Sequence, residues 1–516
     1  MSFTYENPVI RGFHPDPSVC RADGKYYLVC SSFQYFPGIP LFESSDLINW
    51  RLIGHVLTRE EQLPLRGALS NGGIYAPTIR YHKGRFYVTA TNVNGCGNFI
   101  VWTDNIRGEW SDIIPIDQDG IDPSLYFEND TVYFMSNHGN ADGTASIMQC
   151  EINPLTGKKL SDSRPIWNGC GGRYLESPHL YHIDSWYYLM AAEGGTEYGH
   201  MVVLARGRTP YGPFENAPHN PIVSNRDLGG YPLQGTGHGD LIEDRSGNWW
   251  MVLLAFRQIG TYLPYHHLGR ETCLIPVSFT PDGWMKAGSN TGHVSPRITT
   301  DLPMAADHQT LPQEYTFENT IPGKEWVWLR NPDTRNYEFT DSGRVYRLRS
   351  PLSGRLSERD ISPTFIGLRQ QEMEGTIRVD LQLRSHGEAG LTLYMDCDHH
   401  YDLALVRRSS RVSLIKRRVI GDMEYIQQEE LLPPDTEHIR LIIRASALEY
   451  HFQAEILRYS TPEKHIDLGT AMTRYLSSEV AGGFTGVMIG LYASDTGAGW
   501  AEFTNFSYRA QAQNGL

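Results

Sequence analysis

Three carboxylic acids, Asp16, Asp122 and Glu176, stand at the head of a short strand signal that recurs five times in the chain. Carboxyl groups brought together can hydrolyse an acetal, because one gives a proton to the leaving oxygen while another activates water or attacks. Two suffice, and a third held close raises its neighbours' pKa, so Asp122 could keep the acid protonated as well as orient it. The repeat position carries Asp16, Ala76, Asp122, the pair Glu176-Ser177 and His238 in turn. A lone Asp-Pro-Ser is more often a turn or cap than a site. A structural cap would recur with similar chemistry in every copy, including at Ala76, and here it does not.

The elements that must position these groups are hairpins. Asp16-Pro-Ser-Val-Cys precedes KYYLV, Ala76-Pro-Thr-Ile-Arg precedes RFYVT, and Asp122-Pro-Ser-Leu-Tyr precedes TVYFM. Ser177-Pro-His-Leu-Tyr precedes WYYLM, and His238-Gly-Asp-Leu-Ile precedes WWMVL. Between the paired strands lie turn residues such as Asp23-Gly24, Lys83-Gly84 and Asn129-Asp130. Each opener leads into a further amphipathic strand and an aromatic-bearing segment, and the openers start about 45 to 60 residues apart. That period describes a five-bladed β-propeller with about four strands per blade, whose innermost strands bring one repeat position to one mouth of the channel.

The propeller is expected over residues 1–300. A stretch poor in periodic apolar residues (287–315) marks the linker, set at 301–318, and residues 319–516 alternate with period two over eight long strands, as a β-sandwich does. The fold class is therefore all-β.

With 59 acidic against 45 basic residues the net charge is −14, and the longest basic cluster is Lys416-Arg417-Arg418. Nucleic acid and anionic membrane are excluded as expected partners. No apolar run approaches the 18 or so residues of a membrane span. The first twenty residues hold Glu6, Arg11, His14 and Asp16 in place of an apolar signal core, and the seven cysteines form no paired spacing, so a cytoplasmic protein with reduced thiols is expected.

The segments NPVIRGFHPDPSVC, YAPTIRYHKGRFYV, GIDPSLYF, ESPHLY, AAEGGT, GTGHGDL and LGRET together resemble glycoside hydrolase family 43, in particular its two-domain β-xylosidase and α-L-arabinofuranosidase members. The resemblance implies inverting hydrolysis with no cofactor required for the chemistry. Asp16 would be the general base, Asp122 the pKa modulator and orienter, and Glu176 the general acid; Glu193 of AAEGGT is the rival for that last role. Many relatives have Gly where this chain has Ser177. Arg270 resembles a sugar-contacting arginine, against the plainer reading of an ion pair with Glu271. His238 resembles the central-channel histidine that in some members helps to hold a hydrated cation, with calcium as the candidate, against the reading of a merely hydrogen-bonded histidine. Phe33 and Phe36 are the aromatic pair expected to stack on sugar faces, and Ala76 stays small where the floor admits the sugar. Phe484 of GGFTG resembles a loop phenylalanine by which the sandwich of relatives closes the pocket.

The expected partner is thus a short oligosaccharide, cut from its end if Phe484 closes the mouth and internally, as in arabinan, if it does not. A second copy of the chain remains open as a further partner. The residues leave xylose and arabinofuranose undecided. A non-catalytic carbohydrate-binding propeller would need no special carboxylates. The Asn-Asp-Pro-Asn opening of retaining sucrose-type hydrolases is absent, as are HExxH and GxSxG contexts.

Overall fold

A computed structural model describes residues 3–301, 314–317, 322–340, 344–351, 354–359, 361–458 and 461–511. Most of the expected linker (302–313 and 318) lies outside the described residues.

Five four-stranded antiparallel sheets follow one another in sequence, each built from four segments taken in chain order. The first runs through Ser18–Ala22, Lys25–Val29, Gly38–Ser44 and Arg51–Leu57; the innermost strands of the other four are Thr78–His82, Ser124–Glu128, Glu176–Ile183 and Leu233–Glu243. The hairpin turns take the left-handed backbone that their residues favour, with φ of 49° at Asp23 and 74° at Gly24, and 48° and 83° at Lys83 and Gly84. Phe3–Glu6 pairs antiparallel with Arg297–Thr300, which ties the two ends of the propeller together. Apolar cores fill the spaces between blades, as where Val19 and Leu28 meet Leu241 and Val252.

The C-terminal part packs two eight-stranded sheets face to face. Ile377, Val379 and Leu381 from one meet Leu391, Leu393 and Leu403 from the other in a dry core. Several strands were not among the eight expected, including Val345–Leu348, Thr364–Arg369, Met423–Leu432 and Thr461–Met472. Met423–Leu432 and Thr461–Met472 are mostly exposed along their length, being outer strands of the two sheets, and reach the core only through Leu432, Ile466, Leu468 and Ala471.

The halves are joined through aromatic packing. Phe13, Phe33 and Tyr35 of the propeller lie against Phe365, Tyr394, Met488 and Tyr492 of the sandwich. Strand Tyr35–Phe36 even joins a sandwich sheet, pairing with Val327–Leu329.

Candidate active site

Four of the five repeat heads share a backbone conformation that residues with a β-carbon seldom take. Asp16, Asp122, Ser177 and His238 have φ of 56°, 53°, 56° and 52°, in the left-handed region that costs roughly 1–2 kcal/mol each. In the fourth blade Ser177 holds this position, so Glu176 enters one residue earlier, at the start of its strand. Strain of this kind persists where the surrounding structure enforces it. Here the inner strands enforce it at one mouth of the channel.

A cavity of about 610 Å³ opens there, and Asp16, Asp122 and Glu176 all line it, with Ala76 and His238 beside them. Asp16 is buried and accepts hydrogen bonds from Ser31 Oγ and from Arg270 Nη1, the latter at 2.7 Å. Arg270 also donates to Thr196 Oγ1 at 2.8 Å and to the Phe484 carbonyl at 3.2 Å. It therefore pairs with Asp16 and not with Glu271, whose carboxylate is taken by Arg257 at 2.8 Å. His238 Nδ1 lies 3.6 Å from Asp16 and 3.9 Å from Asp122.

These surroundings push the carboxyl groups apart in acidity. Burial alone would raise Asp16, but Arg270, His238 and Ser31 outweigh it and hold the group below the usual range. Glu176 is pushed up to about 7 by burial and then by the charge of Asp16, with Arg270 opposing. Asp122 is raised well above the carboxylate range by burial first, then by Glu176 and Asp16. The tuning of Glu176 thus rests on burial and Asp16, while the charge of Glu176 acts on Asp122. Burial lowers His238, against the pull of Asp16.

The apolar wall is built from both halves. Phe33 stacks on Phe484 with centroids 5.8 Å apart and planes at 23°, and Tyr75 meets the two at 5.3 and 5.9 Å. Arg270 lies 5.8 Å over each of the stacked rings, between the aromatics and Asp16. Phe484 is held by the approach of two backbones. Val487 N donates to the His267 carbonyl at 2.9 Å, Ser478 N to that of His266 at 3.1 Å, and a β-carbon on Gly269 would come within 3.0 Å of Gly486 Cα. Phe36 does not share the platform: it lies outside the cavity lining, because its short strand is drawn into the sandwich sheet and its ring packs on the core of the first two blades. Glu193 is also elsewhere, buried and accepting from the backbone N–H groups of Cys170 and Gly172 at 2.6 and 3.0 Å.

Some lining residues sit outside the repeat position and gave no signal of their own. His200 is buried beside the carboxylates, donates Nδ1–H to the Gly235 carbonyl at 3.2 Å, and needs Gly237, where a β-carbon would fall 2.4 Å from its ring. His266, Tyr198 and Glu479 form a bridge between the halves, Glu479 accepting from both at 2.8 and 2.9 Å.

A hydrated calcium at His238 would want six to eight oxygen ligands. The nearest buried carboxylate down the channel, Asp240, is already saturated by Arg80, Ser18 Oγ, Tyr181 and Val19 N–H. Asp240 is therefore not free to act as a direct ligand, and no group of three or more His, Cys, Asp or Glu among the described residues forms a metal cage; the lining beside His238 suits a cation only if it keeps its own water shell.

A five-bladed propeller whose mouth carries one ionised carboxylate, one carboxylic acid held protonated to neutral pH and an aromatic wall defines a sugar-acetal hydrolase. The sequence comparisons place it more closely. The model for glycosyl hydrolases family 43 matches residues 5–285, and that for the beta xylosidase C-terminal concanavalin A-like domain matches 314–509. The chain belongs to glycosyl hydrolase family 43. It is 38% identical to a non-reducing end alpha-L-arabinofuranosidase of Bacteroides ovatus over 98% of this chain and 95% of that one, and 35% identical to a xylosidase/arabinosidase of Butyrivibrio fibrisolvens over 97% and 98%. Among solved structures, the Bacteroides ovatus xyloglucan PUL GH43B superposes with a TM-score of 0.91 at 37% identity over 99% of this chain and 100% of that one. A xylan beta-1,4-xylosidase from Bacillus halodurans gives 0.89 at 30% over 98% and 99%. The protein is a glycoside hydrolase acting on oligosaccharides.

Proposed function

We propose that the protein is an inverting exo-acting β-xylosidase or α-L-arabinofuranosidase, with Asp16 as general base, Glu176 as general acid and Asp122 as the group that orients and tunes the acid. The observation that carries this reading is the split in acidity between Asp16, held ionised by Arg270 and Ser31, and Glu176, held protonated up to about 7. A sugar ring lies against Phe33 and Phe484, with Ala76 leaving space at the floor and Arg270 donating to its hydroxyls. Asp16 takes a proton from water as the water oxygen attacks the anomeric carbon. The bond from that carbon to the leaving oxygen breaks, and Glu176 delivers its proton to that oxygen. The products are the free sugar, inverted at its anomeric carbon, and the alcohol.

Closure by Phe484, from a sandwich domain taken as 319–516 after a propeller of 1–300, supports release of one terminal sugar from a short chain. The names of the most similar relatives support both pentoses. Seven free cysteines support action in a reducing cytoplasm on imported oligosaccharides, and the outward Met423, Tyr425, Ile426 and Leu431 support self-association through the sandwich edge. The deciding experiment measures initial release from paired aryl β-D-xylopyranoside and aryl α-L-arabinofuranoside, with Asp16→Ala as blank and NMR reading the first anomer formed. Release of the inverted anomer by the wild type alone is expected. Retention, or release by neither substrate, overturns the reading.

A further inference from the structure

One large side chain at the mouth has no place in the chemistry so far described. Tyr174 is 60% exposed, yet it lines the catalytic cavity. Its backbone is left-handed, with φ of 55°, a conformation an aromatic residue adopts only where its surroundings require it. Leu175, buried in the core of the third and fourth blades, anchors the chain between Tyr174 and Glu176, so both neighbours face the cavity from one short segment.

The ring is bracketed as well as exposed. A β-carbon on Gly195 would come within 2.9 Å of Tyr174 Cδ2, so the Gly195 backbone lies directly against the ring. The Arg173 guanidinium sits 5.5 Å from the ring centroid and is itself fixed, donating from Nε to the Gly194 carbonyl at 3.1 Å and pairing with Glu197. Nothing among the described residues hydrogen-bonds the Tyr174 hydroxyl. What remains is a flat apolar surface, held in place and open to solvent at the rim. A general acid must face the leaving oxygen, so whatever that oxygen carries lies on the acid's side of the cavity, where Tyr174 stands two residues from Glu176.

We infer that Tyr174 is the platform for the leaving group: the pyranose ring attached to the departing oxygen stacks its C–H face on this side chain, which selects glycosyl over non-cyclic leaving groups. The inference rests on Glu176 being the general acid. Tyr174 touches the substrate beyond the broken bond and takes no part in proton transfer.

The test compares two substrates that share glycone and need for protonation but differ in the leaving ring, xylobiose and methyl β-D-xylopyranoside, for the wild type, Tyr174→Ala and Tyr174→Phe. Where the wild type favours arabinose, α-L-arabinofuranosyl-(1→3)-xylose and methyl α-L-arabinofuranoside replace them. Alanine keeps the β-carbon and so the same backbone constraint. Tyr174→Ala should lower kcat/KM on the disaccharide about tenfold relative to the methyl glycoside, mostly through KM, while Tyr174→Phe keeps the wild-type ratio. An unchanged ratio in Tyr174→Ala, or an equal fall on both substrates, overturns the platform, and so does a Phe variant that behaves like Ala. A wild type that cleaves neither member of either pair refutes the proposed function itself.

Discussion

Two layers of the same channel, one step apart along the inner strands, use charge in opposite ways. The upper layer holds Asp16, Asp122, Glu176 and His238; the lower holds Ser18, Arg80, His179, Tyr181 and Asp240. Asp240 is fully buried, accepting from Ser18 Oγ at 2.6 Å, from both Arg80 nitrogens at 2.8 and 3.0 Å and from Tyr181 at 2.5 Å. Burial would raise its pKa, but Arg80 and His179 hold it well below the carboxylate range. Arg80 donates its remaining reach to His179 Nδ1 at 2.9 Å. In the upper layer only Asp16 has a cation of its own; burial and the charge of Asp16 raise Glu176, and burial, Glu176 and Asp16 raise Asp122. A saturated charge is a structural part, whereas an under-paired one stays free to exchange a proton.

The sharpest way to break this contrast is to neutralise one member of each layer. Glu176→Gln removes a proton donor that makes no ion pair. Release from oligosaccharides should fall by roughly 10²–10⁴-fold, and a dinitrophenyl glycoside, which leaves without protonation, should be spared. The unfolding midpoint should hold or rise, because a buried carboxyl has been removed. Equal losses on both substrates would move the acid elsewhere.

Asp240→Asn should do the reverse. Arg80 is then a buried cation without its counter-charge, a loss of about 3–5 kcal/mol of stability, read by denaturant unfolding. Activity per folded molecule should change far less than in Glu176→Gln. A variant as stable as the wild type would mean that the lower layer is not a structural lock.

The upper layer was legible in the sequence because its chemistry varies at a position whose backbone does not. Asp16, Asp122 and His238 announced themselves by replacing one another in an otherwise constant strand head. The lower layer was no less regular, but Ser18, His179 and Asp240 were read as ordinary strand residues, since nothing local says that Arg80 reaches across from the second blade to the fifth. His200 and Tyr198 escaped for a related reason: they stand in the turn before Met201–Gly207, the third strand of the fourth blade, and only the closure of the ring brings them to the mouth. Phe36 shows the opposite error. Its aromatic spacing from Phe33 suggested a shared platform, but strand pairing with Val327–Leu329, far away in sequence, turned it aside. The sandwich was legible along its eight long alternating strands, whereas Val345–Leu348, Thr364–Arg369, Met423–Leu432 and Thr461–Met472 went unread, being short, buried along the whole length, or mostly exposed.

A finer test uses pH. Activity requires Glu176 protonated, so kcat/KM should fall as pH rises through about 7, the value to which burial and Asp16 push that carboxyl. The charge of Glu176 raises Asp122, so the two carboxyls titrate as a pair. Asp122→Asn uncouples the pair, and on the tuning role proposed for Asp122 the basic limb should move to lower pH. A limb that stays in place would leave Asp122 with orientation alone, and the upper layer would be tuned by burial and Asp16 without it.

The smallest expected effect concerns the one carboxylate of the upper layer that resembles Asp240. Asp16 is ionised because Arg270, His238 and Ser31 together outweigh its burial, and of these Ser31 can be removed without touching a charge. Ser31→Ala deletes a hydrogen bond made to the ionised form, so the pKa of Asp16 should rise and the acidic limb of kcat/KM should move to higher pH, with the basic limb fixed. The sign follows from the base working only when ionised: a higher pKa protonates it over more of the acidic range, while the rate at neutral pH scarcely changes. An unmoved acidic limb would mean that Arg270 and His238 alone keep Asp16 charged. The two layers would then differ in how many cations serve each carboxylate, and hydroxyl donors would not enter the contrast.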